Sequence, residues 1–386
     1  CGIGGAANFN LCMGQQEKEE AASFAGNAIT MLFSLGMILC IITRLFLKPM
    51  MILFGATSSV LDYCLIYTGI TSLGFPFLIL TTGGTNLVRA DGSPKFSMTC
   101  TLTGAIINTI LDPTLIFGFH MGIAGAAWAT VIGQVVSGIM VILYLKKFKT
   151  VKLTKEKLRP HPHYIGRIVS LGMAPFFNQV SMMVVQIVMN NVLIRYGAKS
   201  SYGSDIPLAC AGIITKINMI FFAINIGISQ GLQPIISYNY GAKNASRVKD
   251  AFKLLLKVSL TYSVLLWLCI MCFPQVFASI FTPDTALIEF TKVALRYYLA
   301  VMFLFGVQIS CQMTFNALGN APASIIVAIM RKFVLLIPLV FIMPHIYTAD
   351  KTMAVYMAEP IADLIAVTFT AILFFFQFRK ALREIE

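Results

Sequence analysis

Asn108 and Asp112 lie four residues apart in the stretch NTILDP, a spacing that sets both side chains on one face of a helix. A carboxylate inside an apolar span costs about 2.5 to 3.5 kcal/mol on insertion scales, which makes each one a functional candidate. Pro113 follows and is expected to draw Asp112 out of regular helix and loosen the local backbone. The chain turns at GFHMG, residues 118–122, with Asp112 eight residues before His120 and Thr130 ten after it. At about 1.5 Å per residue both reach a similar depth, roughly 12 to 15 Å below the surface where the chain turns. Asn108, Asp112 and Thr130 could therefore converge on one proton or cation, or else be satisfied by neighbouring helix backbone.

Glu359 and Asp363 in YMAEPIADLIAV repeat the four-residue spacing, with Pro360 between them. They suit either a bound cation or a counter-charge for Lys216, which stands inside another apolar span. Asn178, Gln179, Gln186 and Asn190 form a polar stripe at helical spacing, and Gln308 with Gln312 a second. Such stripes line a cavity or join helices by hydrogen bonds. Beside many Met and Phe they fit a roomy pocket for aromatic cations, drawn by acids and by ring faces. Gln179, Gln186, Asn190, Gln230, Gln233, Gln308, Gln312 and Asp363 are its candidate lining.

The elements that must hold these groups are set by composition. The 386 residues are 58% hydrophobic and 12% charged, with mean hydropathy +0.81, against roughly 25% charged residues in ordinary soluble domains. Apolar stretches near 27–48, 59–86, 97–118, 121–145, 164–195, 207–236, 250–274, 286–315, 320–344 and 352–378 are long enough to cross about 30 Å of hydrocarbon as helices. A short apolar piece, 1–12, precedes them. The expected fold is an all-α polytopic membrane protein.

The formal charge of +13 does not point to nucleic acid. With loops assigned alternately to two sides, 21 Lys and Arg fall on one side, Arg331 and Lys332 among them, and 7 on the other, with Lys216 left inside a span. The positive-inside rule makes the basic side cytoplasmic, including the linker and the C-terminus. The nine cysteines are scattered, and Cys269 with Cys272 forms the one close pair, read as apolar packing. No phosphate-binding glycine loop with its lysine, zinc-binding histidine motif or nucleophile elbow is present, so no cofactor, metal or enzymatic activity is expected. His161 and His163 in the linker read as solvated.

An internal repeat is visible at the span ends. GGAANFNLCMGQQEKEEA near the start parallels GLQPIISYNYGAKNASRV, with Gly4 and Gly14 each 227 residues before Gly231 and Gly241. Gly92 in RADGSPK and Gly319 in ALGNAPA are again 227 apart. The expected organisation is an N-terminal lobe 1–145, a basic linker 146–163 and a C-terminal lobe 164–386, six helices to a lobe, related by a pseudo-twofold axis along the membrane normal and flanking a cleft. Residue 1 aligns with Ile228, so the first lobe is expected to lack helix 1 and part of helix 2, about sixty residues upstream.

QPIISYNYGAKN, LVRADGSPK with NTILDPTLIFGFHMGIAGAAWATVIGQ, and NALGNAPASIIVAIMRKFVLLIPL resemble signatures of the multidrug and toxic compound extrusion family. The resemblance runs from residue 1 to about residue 378. It implies twelve helices in two lobes and an inner-membrane antiporter, acting as a monomer in contact with membrane lipids. Such an antiporter exports amphipathic, often cationic compounds by alternating access, coupled to H⁺ or Na⁺. In several members an acid of the first helix joins an Asn, an Asp and a Thr of the first lobe, which Asn108, Asp112 and Thr130 match in type and spacing. Sodium-type members are also said to use acids of the second lobe, and near Val307 and Gln308 there is none, which leans the reading to protons. Two alternatives are a flippase for lipid-linked precursors, which needs several cationic side chains in the cleft, and a membrane-embedded lipid enzyme, which needs catalytic groups clustered at one interface.

Overall fold

The computed structural model describes residues 1–54, 58, 60–203 and 205–385. Its regular structure is helical throughout the described residues, in two compact units, Cys1–Gly172 and Met173–Glu386. Nine helices are long and apolar enough to cross a membrane, or ten when one bent pair is taken as a single span, counted over the described residues. The ten expected spans are these; the expected start of one, Ser59, lies outside the described residues.

In the first unit the helices are α1 (Gly2–Gly14), α2 (Lys18–Leu45), α3 (Leu47–Leu53), α4 (Leu61–Thr71), α5 (Phe75–Ala90), α6 (Pro94–Pro113) and α7 (Gly122–Leu145), followed by the opening turns of α8 (Pro162–Gly197). Helix α2 begins nine residues before the expected position, 27, because KEEAASFAGN is helical too. Ala21, Ala22, Ala25 and Ala28 are all buried, and such small side chains let helices approach closely. The contact between α6 and α7 is similar: a Cβ on Gly133 would meet the carbonyl oxygen of Gly104 at 2.6 Å, so the backbones touch where the Asn–Asp–Thr group is held.

The second unit has the rest of α8, then α9 (Asp205–Gly241), α10 (Ala245–Cys272), α11 (Pro274–Ser279), α12 (Thr285–Tyr298), α13 (Phe305–Ala317), α14 (Ala321–Ile329), α15 (Ile337–Ile346) and α16 (Lys351–Arg383). Two π-helical stretches, Thr114–Gly118 after α6 and Met330–Leu336 between α14 and α15, continue their spans. The span expected at 286–315 is the bent pair, with α12 and the segment Met302–Ala317 inclined at 47°. The bend frees backbone carbonyls, and that of Ala300 accepts the indole N–H of Trp267 at 3.0 Å.

The repeat of 227 residues persists in the element bounds. Helices α2 and α10 are both 28 residues long, and both ends differ by 227 (245 − 18 and 272 − 45). Left-handed backbone recurs at the same offset, in Gln16 and Lys243 (φ 66 and 55) and in Gly92 and Gly319 (φ 79 and 75). The same turns close the same helices in each half.

Between α7 and α8 the basic linker is tied down rather than free. Asp91, 2% exposed just beyond α5, accepts the Tyr144 hydroxyl at 2.8 Å, the Lys149 N–H at 2.8 Å, and the N–H and hydroxyl of Thr150. Phe148 packs edge-on against Phe9, and Val151 is buried. Farther on, Asn27 accepts the His161 N–H at 2.8 Å, the Thr30 hydroxyl donates to the Leu158 carbonyl at 2.7 Å, and Lys157 pairs with Glu19 at 2.8 Å. A Cβ on Gly26 would fall 2.2 Å from the Lys157 carbonyl oxygen, so the linker lies directly on α2. The rings of His161 and His163 remain exposed. Asp91→Ala leaves Tyr144, Lys149 and Thr150 without their acceptor, a cost of about 1 to 3 kcal/mol. The expected outcome is faster tryptic cleavage within 146–163, read by peptide mapping of the folded protein.

Candidate functional site

Asn108, Asp112 and Thr130 come together in the first unit. Asn108 Nδ2 lies 3.3 Å from Thr130 Oγ1 and 3.5 Å from Asp112 Oδ1, and the Thr130 hydroxyl donates to the Ala126 carbonyl at 3.0 Å. All three residues are half-buried, and Asp112 has no ion pair among the described residues. Asp112 is itself helical, contrary to expectation, because α6 continues through Pro113. Proline lacks the N–H for a helical bond, and the backbone distortion falls after it, in the π-helical turn Thr114–Gly118. His120 and Gly122 then take left-handed conformations (φ 53 and 54) that reverse the chain into α7.

Beside the group is a cavity of about 250 Å³ between α5, α6 and α7, lined by Thr81, Thr101, Asn108, Thr130, Gln134 and Ser137 among others. Thr81 Oγ1 and Gln134 Oε1 are buried there without a hydrogen-bond partner among the described residues. A hollow with several polar walls can hold water. The arrangement can pass a proton, or offer oxygens to a small cation.

The second unit holds a cluster of two bases and two acids within its spans. Arg331 and Lys332, counted from the sequence among the loop bases, sit inside the span Ala321–Ile346, in its π-helical stretch. Arg331 Nε lies 2.6 Å from Asp363 Oδ1, Arg331 Nη2 3.3 Å from Glu359 Oε1, and Lys332 Nζ 2.8 Å from Glu359 Oε1. All four side chains are 12% exposed or less, so the ions are compensated within the unit. The Arg331 guanidinium also lies 4.3 Å from the ring centre of Phe305. Lys216, the expected partner of the acids, instead lies 5.6 Å from the ring centre of Phe281. The signal was in the sequence: the basic pair stands in the middle of the apolar run IIVAIMRKFVLLIPL, inside the stretch 320–344 expected to span, and so cannot belong to a loop.

The other candidates are dispersed over the second unit. Gln179 is exposed, while Gln230 and Gln312 are half-buried. Gln186 donates to Asn190 at 2.9 Å, and its carbonyl oxygen lies 3.2 Å from Thr215 Oγ1. Gln233 and Gln308 are buried, with Gln233 Nε2 and Gln308 Oε1 unpaired among the described residues. Asp363 is occupied by Arg331.

Truncating one member of a buried ion cluster leaves its partner's charge uncompensated, at about 3 to 5 kcal/mol. Lys332→Met is therefore expected to lower the thermal unfolding temperature strongly, and Lys332→Met with Glu359→Gln to recover most of the loss, as measured in detergent by fluorescence.

The family model MatE matches residues 10–114 and 175–342. The chain is 28% identical over 353 residues to the multidrug export protein MepA of Staphylococcus aureus (strain NCTC 8325 / PS 47), covering 90% of this chain and 75% of that protein. It is 26% identical over 348 residues to MepA of Staphylococcus haemolyticus (strain JCSC1435), with the same coverage of 90% and 75%. A crystal structure of a MATE protein in a bent conformation superposes with a TM-score of 0.91 at 20% identity, over 100% of this chain and 84% of the other. A superfamily transporter from Pyrococcus furiosus, described as having a binding pocket of reversed polarity, gives 0.89 at 21% identity, over 100% and 84%. The fold, the spans and the family model agree, and the chain belongs to the MatE family of multidrug and toxic compound extrusion transporters: it is a multi-pass membrane protein and not an enzyme.

Proposed function

We propose that the protein exports amphipathic, chiefly cationic compounds from the cytoplasm across the inner membrane by alternating access, in antiport with H⁺ or Na⁺. The relatives named as multidrug export proteins support the cargo class. The observation that carries the coupling reading is the state of the intramembrane acids. Glu359 and Asp363 are neutralised by Arg331 and Lys332, whereas Asp112 has hydrogen-bonding neighbours and no cation among the described residues. Asp112 is thus the acid available to take up an ion, with Asn108 and Thr130 holding its surroundings.

Binding of H⁺ or Na⁺ at Asp112 removes a net charge from a span, and so changes the relative free energies of the two access states. An ion can shift that equilibrium only through such differential affinity. Protons are favoured over sodium, because the second unit's acids are already engaged by bases. The cargo contacts are assigned to the exposed and half-buried polar residues Gln179, Gln186, Asn190, Gln230 and Gln312, and to the buried Gln233 and Gln308. Moving Arg331 and Lys332 out of the loop count leaves the bases 19 against 7 (21 − 2), so the basic side remains the cytoplasmic one.

Arg331 and Lys332 are the intramembrane cations that a flippase for lipid-linked precursors would need. Their charge is cancelled by Glu359 and Asp363, which favours drug export over that reading. Asp112→Asn, which keeps shape and removes the titrating charge, is expected to reduce ethidium efflux from cells to the level of cells lacking the protein, at unchanged membrane abundance. Undiminished efflux would overturn the coupling assignment. In proteoliposomes, ethidium movement under separate H⁺ and Na⁺ gradients distinguishes the two ions.

A further inference from the structure

We infer that the second unit carries a groove for one anionic phospholipid, its acyl chain lying among α10, α13 and α16 and its phosphate on Arg379. The groove has a volume of about 500 Å³, and its lining includes Phe252, Val307, Cys311, Phe374 and Phe378, with Arg379 the one ionic residue. Phe252 stacks on Phe374 at 4.5 Å between ring centres, and Phe374 on Phe378 at 4.8 Å, giving a firm apolar wall.

The internal repeat shows that the groove is a feature of one unit. At the positions 227 residues earlier, the half-buried Val307 and Ala371 correspond to Leu80 and Tyr144, which are 2% and 9% exposed. In the first unit the chain leaves α7 at Leu145, and Asp91 holds the next residues in place, so that Phe148 and Val151 join that core. The counterpart of Asp91 is Leu318, which has no side-chain acceptor, and α16 runs on as helix to Arg383. The first unit closes this corner with its own chain, and the second leaves it open.

The choice of occupant follows from position and charge. Phe375 and Phe376 beside the groove are 60% and 66% exposed on a membrane-spanning helix, a surface that faces lipid. Arg379 is exposed at the rim with no ion pair among the described residues, and Lys253 and Lys257 are exposed on α10 beside the lining residues Phe252 and Leu256. A lipid with net negative charge complements these bases. A zwitterionic one brings its own cation and gains less.

The inference does not depend on the coupling assignment, and it is tested without transport. The purified protein is incubated with equimolar phosphatidylglycerol and phosphatidylcholine in detergent, and bound lipid is counted by native mass spectrometry. The parent is expected to retain one phosphatidylglycerol in preference to phosphatidylcholine. Arg379→Gln, an exposed substitution, is expected to lower that retention about fivefold, and Ala371→Leu to lower it by filling the groove. Equal retention of the two lipids by the parent, or retention unchanged in Arg379→Gln, overturns the proposal. So does displacement of the retained lipid by ethidium, which would make the groove a cargo site. If Ala371→Leu fails to fold, Arg379→Gln alone decides.

Discussion

A charge inside hydrocarbon is costly to leave unpaired, and the pairing of four such charges organises the second unit. Arg331 and Lys332 stand on adjacent residues of one span and are met by Glu359 and Asp363, one helical turn apart on the next. Two positive and two negative groups fix the azimuth of both helices, since rotation of either would strand an ion. The π-helical stretch carries both bases, and a widened turn gives two neighbouring side chains a way to face one partner helix. Phe305 adds its ring face to the guanidinium, so α13 is tied to the same cluster.

The corresponding helix pair of the first unit solves a different problem. Two hundred and twenty-seven residues earlier, Arg331, Lys332, Glu359 and Asp363 become Gly104, Ala105, Ile132 and Val136. There α6 and α7 are held by close backbone approach instead of by ions. The polar chemistry moves along the pair to Asn108, Asp112 and Thr130, whose counterparts in the second unit are Leu335, Leu339 and Met357. One architecture thus carries a paired ionic cluster in one copy and, in the other, an acid with no counter-ion among the described residues. The frame recurs at the 227-residue offset, and a few side chains make the difference in chemistry.

Features that depend on side-chain type at helical spacing could be read directly. The contact of Asn108 with Asp112 and Thr130 followed from a four-residue spacing and equal distances from a turn, because helix rise is fixed. The repeat followed from Gly92 and Gly319, whose positive φ is a local backbone demand. Other features required tertiary partners that the sequence does not display. Arg331 and Lys332 count as loop bases, though they stand inside an expected span, until Glu359 and Asp363 are placed against them, and Asp91 looks like a turn residue until Tyr144, Lys149 and Thr150 are found around it. The early start of α2 was hidden by its charged opening KEE, although the alanines that follow form its packing face.

The linker bears on how the chain is assembled. Its beginning is held by Asp91 and its end by Asn27 and Thr30, and the first turns of α8 pack with the first unit through Tyr164 on Phe24 and the Arg167 carbonyl on Asn8. The first unit therefore closes at Gly172, whereas the sequence repeat closes with α7 at Leu145. The segment that compacts as one body runs past the end of the repeat in sequence. During synthesis, the earlier half has its full set of contacts only after the opening turns of the later half's first helix have emerged.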